Sequence, residues 1–578
     1  MDRHAELPGG KAWQPRRANW RDPLALALIV TIIILLGSAA GQMVAPLAAG
    51  RQPQISLSPF ELPNYALRTT MRMLAALIAS LLFTFTYGTL AAKSRRAETV
   101  LIPLLDVLQS VPVLGYLSFT VIFFVSLFPH RVLGVELAAI FAIFTSQAWN
   151  MAFSFFQALR TIPRDLDEAS RAFRFSAWQR FWRLEVSFAM PGLIWNTMMS
   201  MSGGWFFVVA SEAISVGDLH VALPGVGSYV ALAIANRNLA AVGWAIVAMT
   251  VTIMIYDQLL FRPLVTWADK FRYEQTAAAV VPKSWIIDLF RHTGVLRNVA
   301  DSIGAMTQSA TRARFSPRLS VWPYKQAPLA SYLLDAVWYG AVLLLVVDLA
   351  WVLLQFAGAE LSWSDVLVAA RDGGITLLRV VVLIVIATLI WVPIGVGVGL
   401  NPPLAEKVQP LAQFLAAFPA NLLFPVAVYL IVRFDLSPAI WLSPLMILGT
   451  QWYILFNVIA GASAFPTDFK EAAATFRISG WRWWRDVMLP GIFPYYVTGA
   501  ITASGGAWNA SIVSEWVSWG PTTLNGSGLG AYIAQMTQAG DYPRIALGIA
   551  TMSVLVVGMN RLLWRPLYAL AERRMRLD

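Results

Sequence analysis

The chain has 578 residues, of which 58% are hydrophobic, and its mean hydropathy is +0.61. A soluble protein of this length cannot bury so much apolar surface, so the composition indicates a membrane protein. The net charge of +11 would suit a nucleic-acid-binding protein, but Lys and Arg gathered in cytoplasmic loops explain it without nucleic acid. The chain has no cysteine, and its four histidines lie far apart, which excludes disulfides, cysteine nucleophiles and any metal site read from ligand spacing.

Twelve apolar runs are long enough to cross a bilayer as helices. In chain order they lie at about 24–48, 70–92, 104–128, 133–158, 188–211, 240–262, 334–357, 375–400, 411–432, 438–461, 491–514 and 543–563. The first run is long for a cleaved signal peptide, so it is predicted to be a retained span. Cations concentrate in alternate loops, which predicts that both termini are cytoplasmic.

The second half of the chain repeats the first. Early in each half the register is 307 residues, as between Arg72 and Arg379, and later it is 303 residues, as between Trp205 and Trp508. Each half contains six spans, so the halves should run parallel, related by a pseudo-two-fold axis along the membrane normal. The predicted fold is an all-α polytopic membrane protein, with a first half at 1–263, a cytoplasmic linker at 264–330 and a second half at 331–578.

One polar tract occurs in both halves. It is Asp165–Pro191 in the first half and Asp468–Pro494 in the second half, and both copies lie between apolar runs. The spacing of Asp165 and Glu168, like that of the equivalent acidic pair, fits a helix-capping pattern. Small residues and then bulky aromatic residues follow, which predicts a short amphipathic helix that docks onto a cytoplasmic partner.

The second tract contains Glu471-Ala472-Ala473 followed by Leu489-Pro490, and the first contains the less regular Glu168-Ala169-Ser170. With this pattern the chain resembles the permease subunits of ABC importers, most closely the nitrate, sulfonate and taurine type, with two halves fused. Both tracts carry arginine, at Arg174 and Arg477, where that family usually has glycine. The resemblance implies a fold like that of type I ABC importers. It implies that the following residues couple the chain to ATPases: Glu168, Ala169, Ser170, Phe173, Arg174, Glu471, Ala472, Ala473, Phe476 and Arg477.

The resemblance also implies a location and partners. The chain would lie in the bacterial inner membrane, in contact with lipid. It would bind two cytoplasmic ATPase subunits and a periplasmic or lipid-anchored substrate-binding protein. The sequence has no phosphate-binding loop of its own, so ATP and Mg would belong to the ATPases. The implied cargo is a small anionic solute such as nitrate, a sulfonate, taurine or bicarbonate. Fused permeases for iron or thiamine remain an alternative.

Two further classes of protein share parts of this pattern. A secondary transporter can also have six plus six helices, but it needs ion-coupling charges within the membrane and would leave the repeated tract unexplained. A membrane enzyme needs a convergent acid, base, nucleophile or metal cluster, and the sequence indicates no such cluster.

Six residues are predicted to line or gate a pathway, and they are Trp205, Ser211, Glu212, Trp508, Ser514 and Glu515. The two glutamates either face a water-filled path or lie in the headgroup zone. Because free carboxylates would repel an anion, we expect each to be held by a neighbouring donor or backbone N–H as a structural latch. Arg72 and Arg379 are predicted to snorkel toward the membrane surface rather than to attract an anion.

Overall fold

The computed structural model describes residues 55–129, 131–216, 219–271, 285–287, 328–358 and 361–574, together with a few single positions between 37 and 311. The predicted first span at 24–48 and most of the predicted linker at 264–330 lie outside the described residues. Contacts divide the chain into two compact units. One contains the described residues of Ile162–Pro191 and Tyr256–Ser320. The other contains those of 39–161, 192–255 and 321–578.

The first half is built almost entirely of helices. They are α1 Leu62–Phe83, α2 Thr89–Lys93, α3 Arg95–Ser110, α4 Val113–Leu127, α5 Val132–Arg160, α6 Arg164–Ala172, α7 Ala177–Arg180, α8 Val186–Glu212, α9 Val226–Ala235, α10 Leu239–Tyr256 and α11 Arg262–Ala268. Single π-helical turns at Thr84–Gly88, Phe181–Glu185 and Asp257–Phe261 join several of them into longer helices.

The second half follows the same order. Its helices are α12 Pro328–Gly358, α13 Trp363–Gly399, α14 Pro402–Ala417, α15 Phe424–Arg433, α16 Pro438–Trp441, α17 Leu445–Leu448, α18 Trp452–Ser463, α19 Thr467–Thr475, α20 Gly480–Trp483, α21 Leu489–Ser514, α22 Leu529–Ala539, α23 Tyr542–Met559 and α24 Arg565–Arg574. The π-helical turns at Trp484–Met488 and Asn560–Trp564 lie 303 residues after two of those in the first half.

Among the described residues, five helices are long and apolar enough to cross a membrane, and seven candidate spans result if each bent pair is counted as one. The five are Pro59–Lys93, Val132–Arg160, Leu239–Ala268, Trp363–Gly399 and Tyr542–Ala571. One bent pair consists of α14 and the segment Ala420–Arg433, which meet at an angle of 71°. The other consists of the segment Pro438–Leu448, which contains α16 and α17, and helix α18, and its bend is 43°. The predicted spans at 411–432 and 438–461 thus fall on these two bent pairs.

The predicted span at 104–128 is also interrupted. Helix α3 ends at Ser110 and α4 begins at Val113. Pro112 sits at the break, and the residue before a proline is disfavoured in helical conformation. The predicted runs at 188–211, 334–357 and 491–514 lie within the continuous helices α8, α12 and α21.

Each half contains a β-hairpin, so the expectation of a purely helical fold is wrong in this detail. Strands β1 Ala213–Val216 and β2 Leu219–Ala222 pair antiparallel. Strands β3 Trp516–Trp519 and β4 Thr522–Asn525 pair in the same register 303 residues later. The second hairpin also bonds to the first half, because the Gly520 amide donates to the Ile234 carbonyl at 3.0 Å.

The main hydrophobic core joins both halves within the larger unit. It contains residues of α4, α5 and α8 together with α13, α18, α21 and α23, including Val121, Ala142, Val458 and Trp508. Burial of this apolar surface against protein rather than lipid holds these helices of the two halves together.

Candidate functional site

Glu212 is the centre of a buried polar cluster at the end of α8. Its side chain is fully buried and accepts three hydrogen bonds: from Arg72 at 2.6 Å, from the Thr69 hydroxyl at 2.6 Å and from the Gly227 amide at 2.7 Å. The Ser228 hydroxyl donates to the Glu212 carbonyl at 2.6 Å. This carboxylate therefore ties together α1, α8 and the start of α9, and we call the arrangement the first latch.

Arg72 is fully buried, so the prediction that it snorkels to the membrane surface is wrong. Its Nε and Nη2 atoms donate to the two carboxylate oxygens of Glu136 at 2.6 and 2.7 Å, while Nη1 donates to Glu212. A guanidinium buried this deeply is stable only when its fork of donors is satisfied, and two carboxylates satisfy it here. Glu136 was not among the predicted site residues.

Glu515 forms the second latch with equivalent partners. It accepts from Arg379 at 2.9 Å, from the Thr376 hydroxyl at 3.0 Å and from the Gly530 amide at 2.8 Å. Each of these three residues is the counterpart of a first-latch partner in the 307 or 303 register. Arg379 is 14% exposed at its side chain, so snorkelling is wrong for this residue as well.

The two latches differ in how the arginine is completed. In the 303 register the counterpart of Glu136 is Ala439. Arg379 instead donates to backbone carbonyls, to Ala439 at 3.1 Å, to Ser527 at 2.7 Å and to Gly526. The first latch thus uses a second buried carboxylate where the second latch uses neutral carbonyl groups.

Glycine is required beside both carboxylates. A Cβ atom on Gly225 would lie 2.3 Å from the Glu212 carboxylate, and one on Gly528 would lie 2.5 Å from that of Glu515. Both distances are far below van der Waals contact, so only glycine lets the loop after each hairpin approach its latch.

A cavity of about 430 Å³ lies in the larger unit, lined by both halves. Five asparagines line it, namely Asn150, Asn196, Asn457, Asn509 and Asn560. Its aromatic lining residues include Trp149, Trp195, Tyr453 and Trp508. None of the described residues that line it is charged. A cavity of this composition can hold a small solute through amide and hydroxyl hydrogen bonds and aromatic faces.

The six predicted pathway residues do not share one surface. Trp508 lines the cavity, whereas Trp205, Ser211, Glu212, Ser514 and Glu515 are not among its lining residues. All six are buried, with at most 1% of the surface of each exposed. The contacts expected of the two glutamates, to a neighbouring donor and to a backbone N–H, are present.

The repeated tracts contain two helices of equal length, α6 and α19. The predicted caps at Asp165 and Asp468 are wrong. The helices begin at Arg164 and Thr467, directly after Pro163 and Pro466, and neither N-terminus has a side-chain cap. Glu168 and Glu471 are therefore not capping partners, and both are exposed.

The two loop helices end in the same way. The Phe175 amide donates to the Ser170 carbonyl at 3.1 Å, and the Ile478 amide donates to the Ala473 carbonyl at 2.8 Å. This bonding places Arg174 and Arg477 in the left-handed region, both with φ of 52°. Glycine adopts that conformation most easily, which explains why the family pattern has glycine at this position. In this chain arginine adopts the same left-handed conformation and keeps the turn.

The tracts differ on their inner side. In the first, Arg180 pairs with Asp167 at 2.6 Å and with the buried Glu185 at 3.3 Å, and Arg171 pairs with Asp167 at 2.8 Å. At the positions of Asp167, Arg180 and Glu185 the second tract has Lys470, Trp483 and Met488. Met488 is fully buried in the main core and Trp483 packs against it. One tract is thus braced by ion pairs and the other by apolar packing.

The described residues contain no group of three His, Asp or Glu side chains that could hold a metal ion.

Comparison with known proteins gives one family. A model described as "Binding-protein-dependent transport system inner membrane component" matches residues 84–262 and again residues 390–577. Each match contains one copy of the repeated tract and one latch glutamate. The two matches together cover more than half of the chain.

Individual relatives are more distant. The chain is 29% identical over 176 residues to the bicarbonate transport system permease protein CmpB of Synechococcus elongatus, which is 30% of this chain and 60% of the relative. It is 24% identical over 187 residues to the nitrate import permease protein NrtB of Leptolyngbya laminosa, 32% of this chain and 63% of the relative. It is 28% identical over 239 residues to the glycine betaine/proline betaine transport system permease protein ProW of Escherichia coli, 41% of this chain and 62% of the relative. The chain thus spans about three fifths of these relatives.

Proposed function

Because the chain belongs to the family of binding-protein-dependent transport system inner membrane components, we propose that it carries both pore-forming halves of an ATP-driven ABC importer. The observation that carries the proposal is the repeated loop helix. Glu168 and Glu471 are exposed, and Phe173 and Phe476 are 75% and 77% exposed. Exposed apolar rings at two equivalent positions are expected where a partner protein covers them.

The proposed partners are two ABC ATPases on the cytoplasmic side and a substrate-binding protein on the outer side. ATP and Mg belong to the ATPases, and closure of the ATPase pair pushes on α6 and α19. The chain is then arranged as twelve spans in two parallel halves, at 1–263 and 331–578, with the segment 264–330 between them and both termini cytoplasmic. The short helices α6 and α19, with the residues after them, are the coupling elements.

The proposed cargo is a small solute, in the first place an anion of the nitrate, sulfonate, taurine or bicarbonate kind. The names of the bicarbonate and nitrate relatives support it. Neither latch glutamate is among the residues that line the cavity, so neither contacts an anion bound there. The name of the betaine relative and the uncharged, aromatic lining of the cavity favour a zwitterion as the second candidate.

The coupling test uses charge reversal. Glu471→Arg and Glu168→Arg should each reduce ATP-driven uptake in membrane vesicles and reduce the amount of ATPase that co-purifies, with the larger effect at Glu471. Asp435→Arg reverses an exposed charge outside both tracts and serves as the control. If both glutamate variants keep full uptake and full ATPase binding, the coupling assignment is wrong.

The cargo test is a competition panel. Uptake by vesicles supplied with the cognate binding protein is measured against nitrate, bicarbonate, taurine and glycine betaine, with iron(III) and thiamine as the alternative class. Competition by nitrate or bicarbonate alone supports the anion proposal. Taurine is a zwitterion at neutral pH, so competition by taurine alone supports the zwitterion. Competition by glycine betaine alone replaces it with the zwitterion, and competition only by iron(III) or thiamine refutes both.

A further inference from the structure

The cavity in the larger unit is lined differently by its two equivalent long helices, α8 and α21. Their lining residues match in the 303 register at six positions. At two of these positions both helices carry a small residue. At the other four, α8 carries a bulky apolar side chain and α21 a smaller or more polar one: Trp195 matches Thr498, Met199 matches Thr502, Phe206 matches Asn509 and Phe207 matches Ala510. We call these four residues of α8 the apolar wall.

The apolar wall offers aromatic and thioether surface to a solute. Trp195 stacks on Phe456 of α18, with ring centroids 5.6 Å apart. The neighbouring polar residue of α8, Asn196, bonds within the first half, because its amide donates to the Ser154 hydroxyl at 2.9 Å. Rings and sulfur atoms bind apolar groups by burial and dispersion, so this side of the cavity favours a hydrocarbon part of a solute.

Two neutral donors for a polar head group lie on the second half. Tyr453 lines the cavity and is 6% exposed, and its hydroxyl has no hydrogen-bond partner among the described residues. The Asn509 side chain accepts from the Val113 amide at 2.8 Å and donates to the Gly505 carbonyl at 3.1 Å. One N–H of the Asn509 amide therefore stays available, and a hydroxyl and an amide can both donate to an oxyanion.

From this lining we infer that the cavity receives a small organic acid or zwitterion, with its apolar body on the apolar wall and its polar head bonded to Tyr453 and Asn509. The inference rests on the proposed importer function and narrows its cargo. Nitrate and bicarbonate have no apolar part, so the wall would contribute nothing to their binding.

The experiment measures binding to the full-length chain in lipid nanodiscs, together with the subunits that co-purify, and without binding protein or ATP. The probes are acetate, propionate and butyrate, and the methane-, ethane- and propanesulfonates. Saturation-transfer NMR detects each solute, and the signal from empty nanodiscs is subtracted. We expect binding to tighten by about threefold for each added CH₂ group in both series. Equal affinity along both series, or no binding by any probe, overturns the inference.

A matched pair of double variants tests whether the apolar wall causes this dependence. Trp195→Thr with Met199→Thr installs the residues of the second half and should reduce the dependence to less than twofold over each series. Trp244→Thr with Met254→Thr makes the same two changes on α10, at exposed positions that do not line the cavity, and should leave it unchanged. A wall variant as sensitive to length as this control overturns the inference.

A gain of function covers the case in which the wall variant does not fold. Thr502→Met adds apolar surface at an exposed lining position whose hydroxyl bonds only to its own helix. A steeper dependence on length supports the inference, and an unchanged dependence then overturns it.

These outcomes are separate from those of the proposed function. Binding is measured without ATP hydrolysis, so equal affinities overturn the inference and leave the importer proposal to the charge-reversal test. Competition by nitrate or bicarbonate alone in the uptake panel would likewise support an anion importer and overturn the inference. Failure of the charge-reversal test would remove the coupling role and leave the measured binding preference as it stands.

Discussion

Each latch carboxylate replaces the water it would bind outside the protein with a full set of internal donors. Glu212 has a guanidinium, a hydroxyl and a backbone amide within 2.7 Å, and Glu515 has the same three donor types within 3.0 Å. Burying a carboxylate without such donors would cost several kcal/mol. The latch is therefore stable as a unit and vulnerable to the loss of any one member.

We predict that Glu212→Gln and Glu515→Gln lower the maximal transport rate more than they change the choice of cargo. The amide removes a carboxylate from a buried ion pair, and breaking such a pair from one side costs about 3–5 kcal/mol. Glu515→Gln should be the more damaging, because Arg72 keeps the carboxylate of Glu136 whereas Arg379 is left with backbone carbonyl groups alone. The measurement is the uptake rate for a panel of cargoes, together with the thermal unfolding midpoint in detergent.

Thr250→Ser is a suitable control, because it changes a partly buried hydroxyl residue of α10 outside both latches. A normal maximal rate with altered cargo preference in either glutamine variant would show that the glutamates read the substrate instead.

We also predict that Gly225→Ala and Gly528→Ala each destabilise the chain, since the added methyl group would overlap the latch carboxylate. Gly243→Ala is the matched control: it replaces a glycine inside a helix, and a Cβ atom at this position would have no neighbour within 4 Å. That control should gain up to about 1 kcal/mol from helix propensity. The measurement is thermal unfolding, and equal midpoints for all three variants would show that the loops relax freely around the latches.

At this scale the sequence predicted what kind of donors hold Glu212 and Glu515. It did not predict that Arg72 is one of those donors, because a lone arginine near the start of a span fits snorkelling equally well. Glu136 was missed although a signal existed, namely an acidic residue well inside an apolar run. Its partner is 64 residues away, and a one-dimensional pattern does not show which helix faces meet.

At the scale of elements, the first loop helix is joined to the π-helical turn before α8 by an ion-pair brace, and the second tract is held near the start of α21 by apolar packing. A brace made of charges holds its geometry only while all its members are present. Removing Arg180 deletes a cation that faces the buried Glu185, whereas replacing all three members with the residues of the second tract removes the buried acid together with that cation.

We predict that Arg180→Gln reduces ATP-driven uptake and uncouples it from ATP hydrolysis. The triple change Asp167→Lys, Arg180→Trp and Glu185→Met should retain more uptake than Arg180→Gln does, because it installs the residues that already serve at 470, 483 and 488. The measurement is the ratio of solute transported to ATP hydrolysed. A triple variant no better than Arg180→Gln would show that the brace is specific to the first tract.

Most long helices follow the predicted apolar runs, but the breaks in them and the hairpins do not. Pro112 and Pro419 stand at two of the breaks and signalled them, since the residue before proline avoids the helical region. The hairpins are too short for a periodic signal, and in each half they begin directly after the latch glutamate. Their position depends on contacts with the rest of the half, which the local sequence does not contain.

At the scale of the whole molecule, the proposed parallel arrangement of the halves, with both loop helices cytoplasmic, makes a simple topological prediction. Arg171→Cys and Ala474→Cys should both react with a membrane-impermeant thiol reagent only when the cytoplasmic side is open to it. Ser170 is buried and would label poorly, so its exposed neighbour is the better probe. Labelling of intact cells at either position would refute the parallel topology, and right-side-out and inverted vesicles provide the control.

The duplicated features also record an order of events. The latch, the hairpin after it, the left-handed arginine and the π-helical turn occur in both halves at equivalent positions, so a single ancestral half already possessed them before it was copied. Glu136 and the brace of Asp167, Arg180 and Glu185 occur in one half alone, so these charges were gained or lost after the half was copied. A homodimeric ancestor must place identical residues on both sides of its axis, and covalent joining released the two sides to diverge. The inward-facing charges have diverged under that freedom, while exposed loop pairs such as Glu168/Glu471 and Phe173/Phe476 have kept the symmetry of the ancestor.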